Sequence, residues 1–178
     1  DPELLEIRPR RMAHGLEAVF GNVKDNICHL DYGSGYGTLS TLLRANGWET
    51  KSYDPFFQEN NAACVEKFDL VTAIEVFEHV PHPYQLMDDL VAKLRSDGVL
   101  YFTTLLSDGI QSGRDLLDWW YLAPRNGHVS LFSNKSLTFL LGQYDFKLAS
   151  VNSNLHIAYR ELPKWCESVE FLVMRSGK

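Results

Sequence analysis

The chain has 178 residues, of which 45% are hydrophobic and 22% charged, and its formal net charge is -6 at pH 7. This composition is typical of one soluble globular domain with its own core. The acidic balance excludes the broad basic surface that double-stranded DNA requires, so we expect no DNA partner.

The sequence also predicts a cytoplasmic location. No apolar run is long enough to span a bilayer, and no signal-peptide pattern opens the chain. The three cysteines are isolated and lack C-x-x-C spacing, which indicates reduced thiols rather than disulfides or a zinc site. The chain opens on Asp1 rather than a methionine, which indicates a trimmed N-terminus.

The apolar spacing divides a single domain, 1–178, into an N-terminal helical cap, 1–26, and an α/β core, 27–178. Within the core, short apolar runs alternate with amphipathic segments, which predicts a mostly parallel sheet with helices on both faces. Strands are predicted at 27–30, 48–53, 68–74, 99–104, 146–151 and 169–174. Helices are predicted at 2–20 (with an interruption at Pro9), at 38–45, from Pro83 to near Gly98, and from Ser133 to Leu141.

Three connections between these elements have unusual lengths. Residues 56–67 are too few for a further helix and strand, so we expect an abbreviated sheet at that point. The connections 105–132 and 152–168 are long for a compact domain, and loops of that length are usually functional. In the first of them, Trp119-Trp120-Tyr121 indicates an apolar substrate wall, or else aromatic side chains that cover the core beneath the loop.

The most specific motif is a glycine turn directly after the first strand, with Gly33, Gly35 and Gly37 at every second position. Glycine permits backbone conformations and a close approach of ligand that a Cβ atom would forbid. In the dinucleotide fingerprint G-x-G-x-x-G the third glycine comes three residues after the second, whereas here Thr38 occupies that position. Together with the acid Asp31, this spacing favours S-adenosylmethionine (SAM), which carries an ammonium group, over NAD.

Three acids follow or close predicted strands: Asp31 the first, Asp54 the second and Glu75 the third. Ligands of open α/β sheets bind beyond the carboxyl ends of the strands, so we expect these acids to meet there. Asp54 lies about 20 residues beyond the glycine turn, the distance at which an acid binds a ribose diol. A single acid at a strand end is as often a strand cap as a ligand contact. Three such acids beside a glycine turn predict a cofactor site.

A second group of candidate functional residues begins at Glu75. If the turn after the third strand is helical, Glu75, Glu78 and His79 share one face at i, i+3 and i+4. A neutral imidazole is available near pH 7, so His79 and the later His128 are the candidate catalytic bases. A less favoured interpretation is that Glu75, Glu78, His79 and His128 hold a divalent metal.

Taken together, these motifs resemble the class I SAM-dependent methyltransferases and are similar to the ubiquinone-biosynthesis O-methyltransferase group. The resemblance is carried by Asp31–Gly37, Asp54-Pro55, Phe68–Val80 with Pro83, and Gly127–Ser133. It implies a Rossmann-like fold with an antiparallel last strand, and a lid that brings His128, His156, Tyr159 and Trp165 over the substrate. It also implies that the glycines surround the methionine end of SAM, that Asp31 faces its amino group, and that Asp54 faces the ribose. The expected cofactor-binding residues are Asp31, Gly33, Gly35, Tyr36, Gly37, Asp54, Pro55 and Glu75.

The leading functional hypothesis is a SAM-dependent methyltransferase that acts on a small molecule, at a hydroxyl oxygen. A metal-assisted RNA 3′-end 2′-O-methyltransferase is one alternative, because an E-x-x-E-H turn with a later histidine is its pattern; the acidic balance weighs against RNA. A non-catalytic SAM-binding module is an alternative of another class. The sequence assigns neither the identity of the acceptor nor an oligomeric state.

Overall fold

The computed structural model describes residues 3–57, 66–110 and 114–176. The strands of these residues form one sheet in the order β2-β1-β3-β4-β6-β5. They are β1 His29–Tyr32, β2 Thr50–Tyr53, β3 Phe68–Ala73, β4 Leu94–Thr103, β5 Lys147–Ser150 and β6 Leu155–Tyr159. Strands β1 to β4 run parallel, whereas β6 is antiparallel to both β4 and β5. The mostly parallel sheet with an antiparallel last strand is therefore confirmed.

Helices cover both faces of the sheet, as the alternating sequence predicts. They are α1 Arg8–Phe20, preceded by a π-helical turn, α2 Thr38–Ala45, α3 Pro83–Lys93, α4 Arg114–Asp118, α5 Asn134–Gly142 and α6 Glu167–Ser176. Along β4, Val99 and Tyr101 join the core formed with α1, α2 and α6, while Leu100 and Phe102 join the core formed with α3 and α5. Within the described ranges, no helix has both the length and the apolar character needed to cross a membrane.

The prediction of a last strand at 169–174 is wrong, because these residues lie in helix α6. Val169, Leu172 and Val173 pack toward the core at i, i+3 and i+4, whereas Phe171 and Met174 are exposed. An apolar run with this spacing is helical, although its β-branched residues favour a strand. The last strand is β6, in a segment that we expected to be loop.

The second predicted lid is also wrong, since 152–168 contains β6. His156 is fully buried in that strand, where its ring nitrogens contact the Ser150 hydroxyl at 3.0 Å and the Thr104 carbonyl at 2.9 Å. Tyr159 is buried as well, and Trp165 packs beside the Phe20 ring of α1. All three side chains pack into the protein, and none of them lines either of the cavities described below, contrary to the expected lid.

Element boundaries differ from the prediction in smaller ways. Helix α3 ends at Lys93 and β4 begins at once at Leu94, rather than at Val99. Strand β1 begins at His29, so that Asp31 lies within the strand. The abbreviated connection 56–67 falls mainly on 58–65, outside the described residues. The first predicted lid, 105–132, includes α4 and a short turn at Pro124–Asn126, and its role as a lid stays a prediction.

Two buried imidazoles link strands of the sheet. His29 lies between the hydroxyl groups of Thr50 on β2 and Thr72 on β3, at 3.3 and 3.0 Å from its ring nitrogens. Burial lowers the pKa of His29 to about 3 and lowers the pKa of His156 below its usual value. Both rings are therefore neutral in the folded protein at pH values where the unfolded chain binds a proton.

This difference makes the fold sensitive to acid. Stability from a depressed histidine pKa is present above about pH 6.5 and is lost as the pH falls below it, because the unfolded chain gains the proton. We expect the free energy of unfolding of His156→Gln, measured by urea unfolding, to fall less than that of the wild type between about pH 7 and pH 5, because the variant lacks the buried imidazole. His14→Gln, at an exposed position of α1, is the control and should follow the wild type. If the wild type and His156→Gln lose the same stability on acidification, buried His156 is not a source of the acid sensitivity.

Candidate active site

Two cavities open along the carboxyl edge of the parallel strands. The first, of about 430 Å³, lies between the loop after β2 and the loop after β3. Its wall includes Gly33, Asp54, Pro55, Phe56, Glu75, Val76 and His79. The second, of about 350 Å³, lies between α1, the ends of β3 and β4, and Trp120 with Tyr121. Its polar lining comprises Glu3, Arg8, Arg11, Glu75, Thr103 and Asn154.

The glycine turn connects β1 to α2 and forms part of the first cavity. Gly33, Gly35 and Gly37 have φ angles of 72, 51 and 71°, a region that favours glycine. A Cβ atom on Gly33 would lie 2.5 Å from Cγ2 of Val76, so the turn after β1 and the turn after β3 touch. Tyr36, on the outer side of the turn, is exposed and packs edge-to-face on Phe57.

Asp31 lies under the glycine turn and is not among the residues that line either cavity. Its carboxylate accepts a 2.7 Å hydrogen bond from the Ser40 hydroxyl, and the Thr72 hydroxyl lies 3.4 Å away. Burial raises the pKa of Asp31 to about 6, against the lowering effect of these hydroxyl groups. In this arrangement Asp31 binds the start of α2 to the sheet beneath the turn.

Asp54 connects the glycine turn to the loop after β2. One carboxylate oxygen accepts from the Gly35 amide at 2.8 Å, and the other accepts from the Phe56 amide at 2.9 Å. The side chain is almost fully buried but still borders the first cavity next to Pro55. A carboxylate has about four acceptor positions, so Asp54 keeps capacity for a ligand that donates hydrogen bonds.

Glu75 follows β3 and has a φ of 55°, unusual for a residue with a side chain. Its amide donates to the Thr103 hydroxyl at 2.9 Å, and that hydroxyl lies 3.3 Å from Oε1. The other carboxylate oxygen is 3.3 Å from Nη1 of Arg8. Glu75 is thus directed toward α1 and β4, away from Glu78 and His79.

Glu78, His79 and His128 form the carboxylate–histidine cluster. One ligand atom from each, a carboxylate oxygen or a ring nitrogen, lies within 4.8 Å of the others. Nδ1 of His128 is 2.8 Å from the Tyr121 carbonyl and Nδ1 of His79 is 3.1 Å from the Gly127 carbonyl. A carbonyl only accepts, so each Nδ1 carries the proton and each Nε2 keeps its lone pair in the neutral ring.

Glu78 is the unusual member of this cluster because it is fully buried. Neither of its carboxylate oxygens has a hydrogen-bond partner within 3.5 Å among the described residues, and the Tyr121 hydroxyl is the nearby group that acts on it as a donor. Burial raises the pKa of Glu78 and the charge of Glu75 raises it further, while the Glu78 backbone amide, the Tyr121 hydroxyl and His79 lower it. A buried carboxylate without partners is costly, so the site favours binding either a proton or a cation.

The loop that carries His128 is attached to the turn that carries Glu78. The amides of Val129 and Ser130 donate to the Glu78 carbonyl at 2.8 and 3.1 Å. The Ser130 hydroxyl donates to the Val80 carbonyl at 2.6 Å. These bonds fix His128 beside Glu78 although 50 residues separate them in sequence.

The structure therefore brings together three of the four predicted metal candidates and leaves Glu75 apart. It also adds Arg8 and Thr103, which sequence reasoning did not find. Arg8 stands in a basic stretch that resembles a solvated helix face, and Thr103 is an ordinary strand residue. Only the sheet register, which pairs Ala73 with Phe102, could have placed Thr103 beside the residues after β3.

Comparison with known proteins gives a family. The profile of the methyltransferase domain family matches residues 4–151. A ubiquinone biosynthesis O-methyltransferase of Actinobacillus pleuropneumoniae is 46% identical over 50 residues, which are 28% of this chain and 21% of that protein. The enzyme of the same name from Parvibaculum lavamentivorans is 30% identical over 123 residues, covering 56% of this chain and 49% of its own length. The chain thus spans about half or less of these curated relatives.

A solved structure shares the fold at low identity. Magnesium protoporphyrin IX methyltransferase from Synechocystis PCC 6803, with bound S-adenosylhomocysteine (SAH), superposes with a TM-score of 0.56 at 16% identity. The alignment covers 86% of this chain and 82% of that one. Because the family profile covers most of the sequence, the chain belongs to the methyltransferase domain family. Its sheet and the structural superposition give it the class I, Rossmann-like fold of SAM-dependent methyltransferases.

Proposed function

We propose that this protein transfers a methyl group from SAM to a hydroxyl oxygen of a small-molecule acceptor. The observation that carries the proposal is the junction of the two cavities at Glu75, with the glycine turn and Asp54 on one side and aromatic side chains on the other. The names of the curated relatives support oxygen as the acceptor atom. The comparisons favour neither the RNA-directed enzyme nor the non-catalytic module.

The residues of the first cavity fit the adenosine part of SAM. Gly33 and Val76 pack against each other on the wall of this cavity, and Asp54 offers acceptor positions to a ribose diol. Pro55 and Phe56 add apolar surface for a base. In the second cavity, Arg8 and Arg11 supply the positive charge that suits the carboxylate of a methionine group.

Methyl transfer requires alignment, exclusion of water and a destination for one proton. When bound, SAM supplies an electrophilic methyl group: the O–C bond forms as the C–S bond breaks, and sulfur keeps that electron pair. The proton of the acceptor hydroxyl must then go to the protein. His79 and His128 suit this role, because each has Nδ1 bound to a carbonyl and an Nε2 lone pair. Trp120 and Tyr121 provide an aromatic wall beside them.

Titration calorimetry with SAM and with SAH tests the proposal directly. We expect both to bind the wild type, and Asp54→Asn to weaken both by roughly tenfold, as loss of a charged hydrogen-bond acceptor predicts. Asp97→Asn, which changes an exposed carboxylate near the amino end of β4, is the matched control and should bind like the wild type. If neither ligand binds the wild-type chain, the proposed function is wrong.

A second proposal concerns the carboxylate–histidine cluster, which also fits a divalent cation. The fit rests on the two oxygens of Glu78 that lack partners and on both histidines, whose Nδ1 atoms face carbonyl groups. Metal-binding histidines almost always donate their second ring N–H to such an acceptor. A bound cation would neutralise Glu78 and lower the pKa of an acceptor hydroxyl. It would also occupy the Nε2 lone pairs, so this proposal is an alternative to proton transfer to the histidines.

Metal analysis by mass spectrometry, after dialysis against Zn²⁺, Mn²⁺ or Mg²⁺, tests this second proposal. We expect about one ion per chain in the wild type and loss of that ion in Glu78→Gln and in His128→Ala, since three ligands bind together. His82→Gln changes a histidine outside the cluster and should retain the ion. A wild-type protein that retains no ion in any of the three would show that Glu78 is held as a neutral acid instead.

A further inference from the structure

Glu75 occupies the boundary between the two cavities. Among the described residues, it is the one side chain that lines both. A ligand that extends from Asp54 in the first cavity to Arg8 in the second must therefore pass its carboxylate. The middle of such a ligand, rather than either end, lies closest to Glu75.

The position of this carboxylate is fixed by the fold. Glu75 has a positive φ, and its amide and Oε1 both contact the Thr103 hydroxyl. A non-glycine residue in this region costs free energy and persists only where its surroundings determine it. This backbone conformation places the negative charge of Glu75 between the two cavities, and the Thr103 hydroxyl orients the carboxylate.

The present counter-ion of this charge is easily exchanged. Arg8 approaches Glu75 at 3.3 Å, with 45% of the Arg8 side chain and 30% of the Glu75 side chain exposed. Such partly exposed ion pairs contribute little to stability. Arg8 also borders the second cavity, so it can turn from Glu75 to an anion bound there.

We propose that Glu75 distinguishes SAM from SAH by exchanging its counter-ion, from Arg8 in the ligand-free protein to the sulfonium of bound SAM. The inference rests on the proposed function. SAM and SAH both carry a carboxylate and an ammonium group, and SAM alone adds a sulfonium. The carboxylate of SAM can therefore take Arg8 while its sulfonium faces Glu75.

Methyl transfer removes one of these two pairs. When the C–S bond breaks, sulfur keeps the electron pair and becomes a neutral thioether, while the acceptor proton goes to the histidines. The carboxylate of the product still binds Arg8 and its ammonium group is unchanged, but Glu75 no longer faces a sulfonium charge. Recovery of the Arg8–Glu75 pair then favours release of SAH, so the same residue that selects the substrate form also expels the product.

The test compares the affinities for SAM and SAH by calorimetry, so that contacts common to both ligands cancel in the ratio. We expect Glu75→Gln to lower the SAM:SAH affinity ratio roughly five- to tenfold, mainly through weaker SAM binding. Glutamine keeps an oxygen for Thr103 and tests charge rather than shape. Asp54→Asn is the matched control: both affinities fall and the ratio stays, because the ribose is common to both ligands.

Two further measurements test the same inference without the Glu75→Gln variant, in case that variant does not fold. Arg8→Gln should leave the ratio at or above that of the wild type, since Glu75 keeps its charge and any lost carboxylate contact is shared. In the wild type itself, the ratio should fall as salt is raised from about 0.05 to 0.5 M, because the contact is partly exposed.

The results distinguish failure of the Glu75 inference from failure of the proposed methyltransferase function. Binding of both ligands with an unchanged ratio in Glu75→Gln overturns this inference and leaves the proposed function standing. An equal fall of the ratio in Arg8→Gln also counts against it. If wild-type protein binds neither ligand, the proposed function fails first.

Discussion

The parallel alignment of four strands is the constraint on which the site depends. Tyr32 at the end of β1 pairs with Tyr53 of β2 and Ala73 of β3, and Ala73 pairs with Phe102 of β4. The chain therefore leaves all four strands at one level. The residues that follow at this level are Gly33, Asp54, Ile74 and Thr103. Hydrogen bonds of the sheet thus place groups from four distant parts of the sequence beside one another.

Beyond the strand ends, the loops hold two acidic residues of the site in positions that are unfavourable in free energy. Glu78 is buried without partners for its carboxylate, and Glu75 has a strained backbone. Each cost is of the order of 1 to 3 kcal/mol. Cores on both faces of the sheet, including the stacked rings of Phe77 and Phe102, oppose these costs. A site of this kind is ready for charge that a ligand brings, and it needs little rearrangement to receive it.

Local spacing was sufficient to predict the glycine turn, two of the three acids at the carboxyl edge (Asp54 and Glu75) and most of the cluster, whereas Asp31 lies within β1 beneath the turn. The turn around Gly33 depends on consecutive residues, and Glu78 and His79 are neighbours, so their arrangement is present in the sequence itself. Two kinds of feature were out of reach. The apolar run in α6 fits either a strand or a helix until packing decides. The contact of Arg8 with Glu75 joins residues 67 positions apart, and no local pattern reports it.

The attachment of the His128 loop to the turn after β3 restricts the route by which a methyl acceptor can enter the site. The bonds from Val129 and Ser130 to the Glu78 carbonyl hold the loop closed, and the same bonds position His128 beside Glu78. Swinging this loop outward to admit a bulky acceptor would break these bonds and take His128, the proposed proton acceptor, away from Glu78. An acceptor that enters past Trp120 would leave the bonds, and the position of His128, intact.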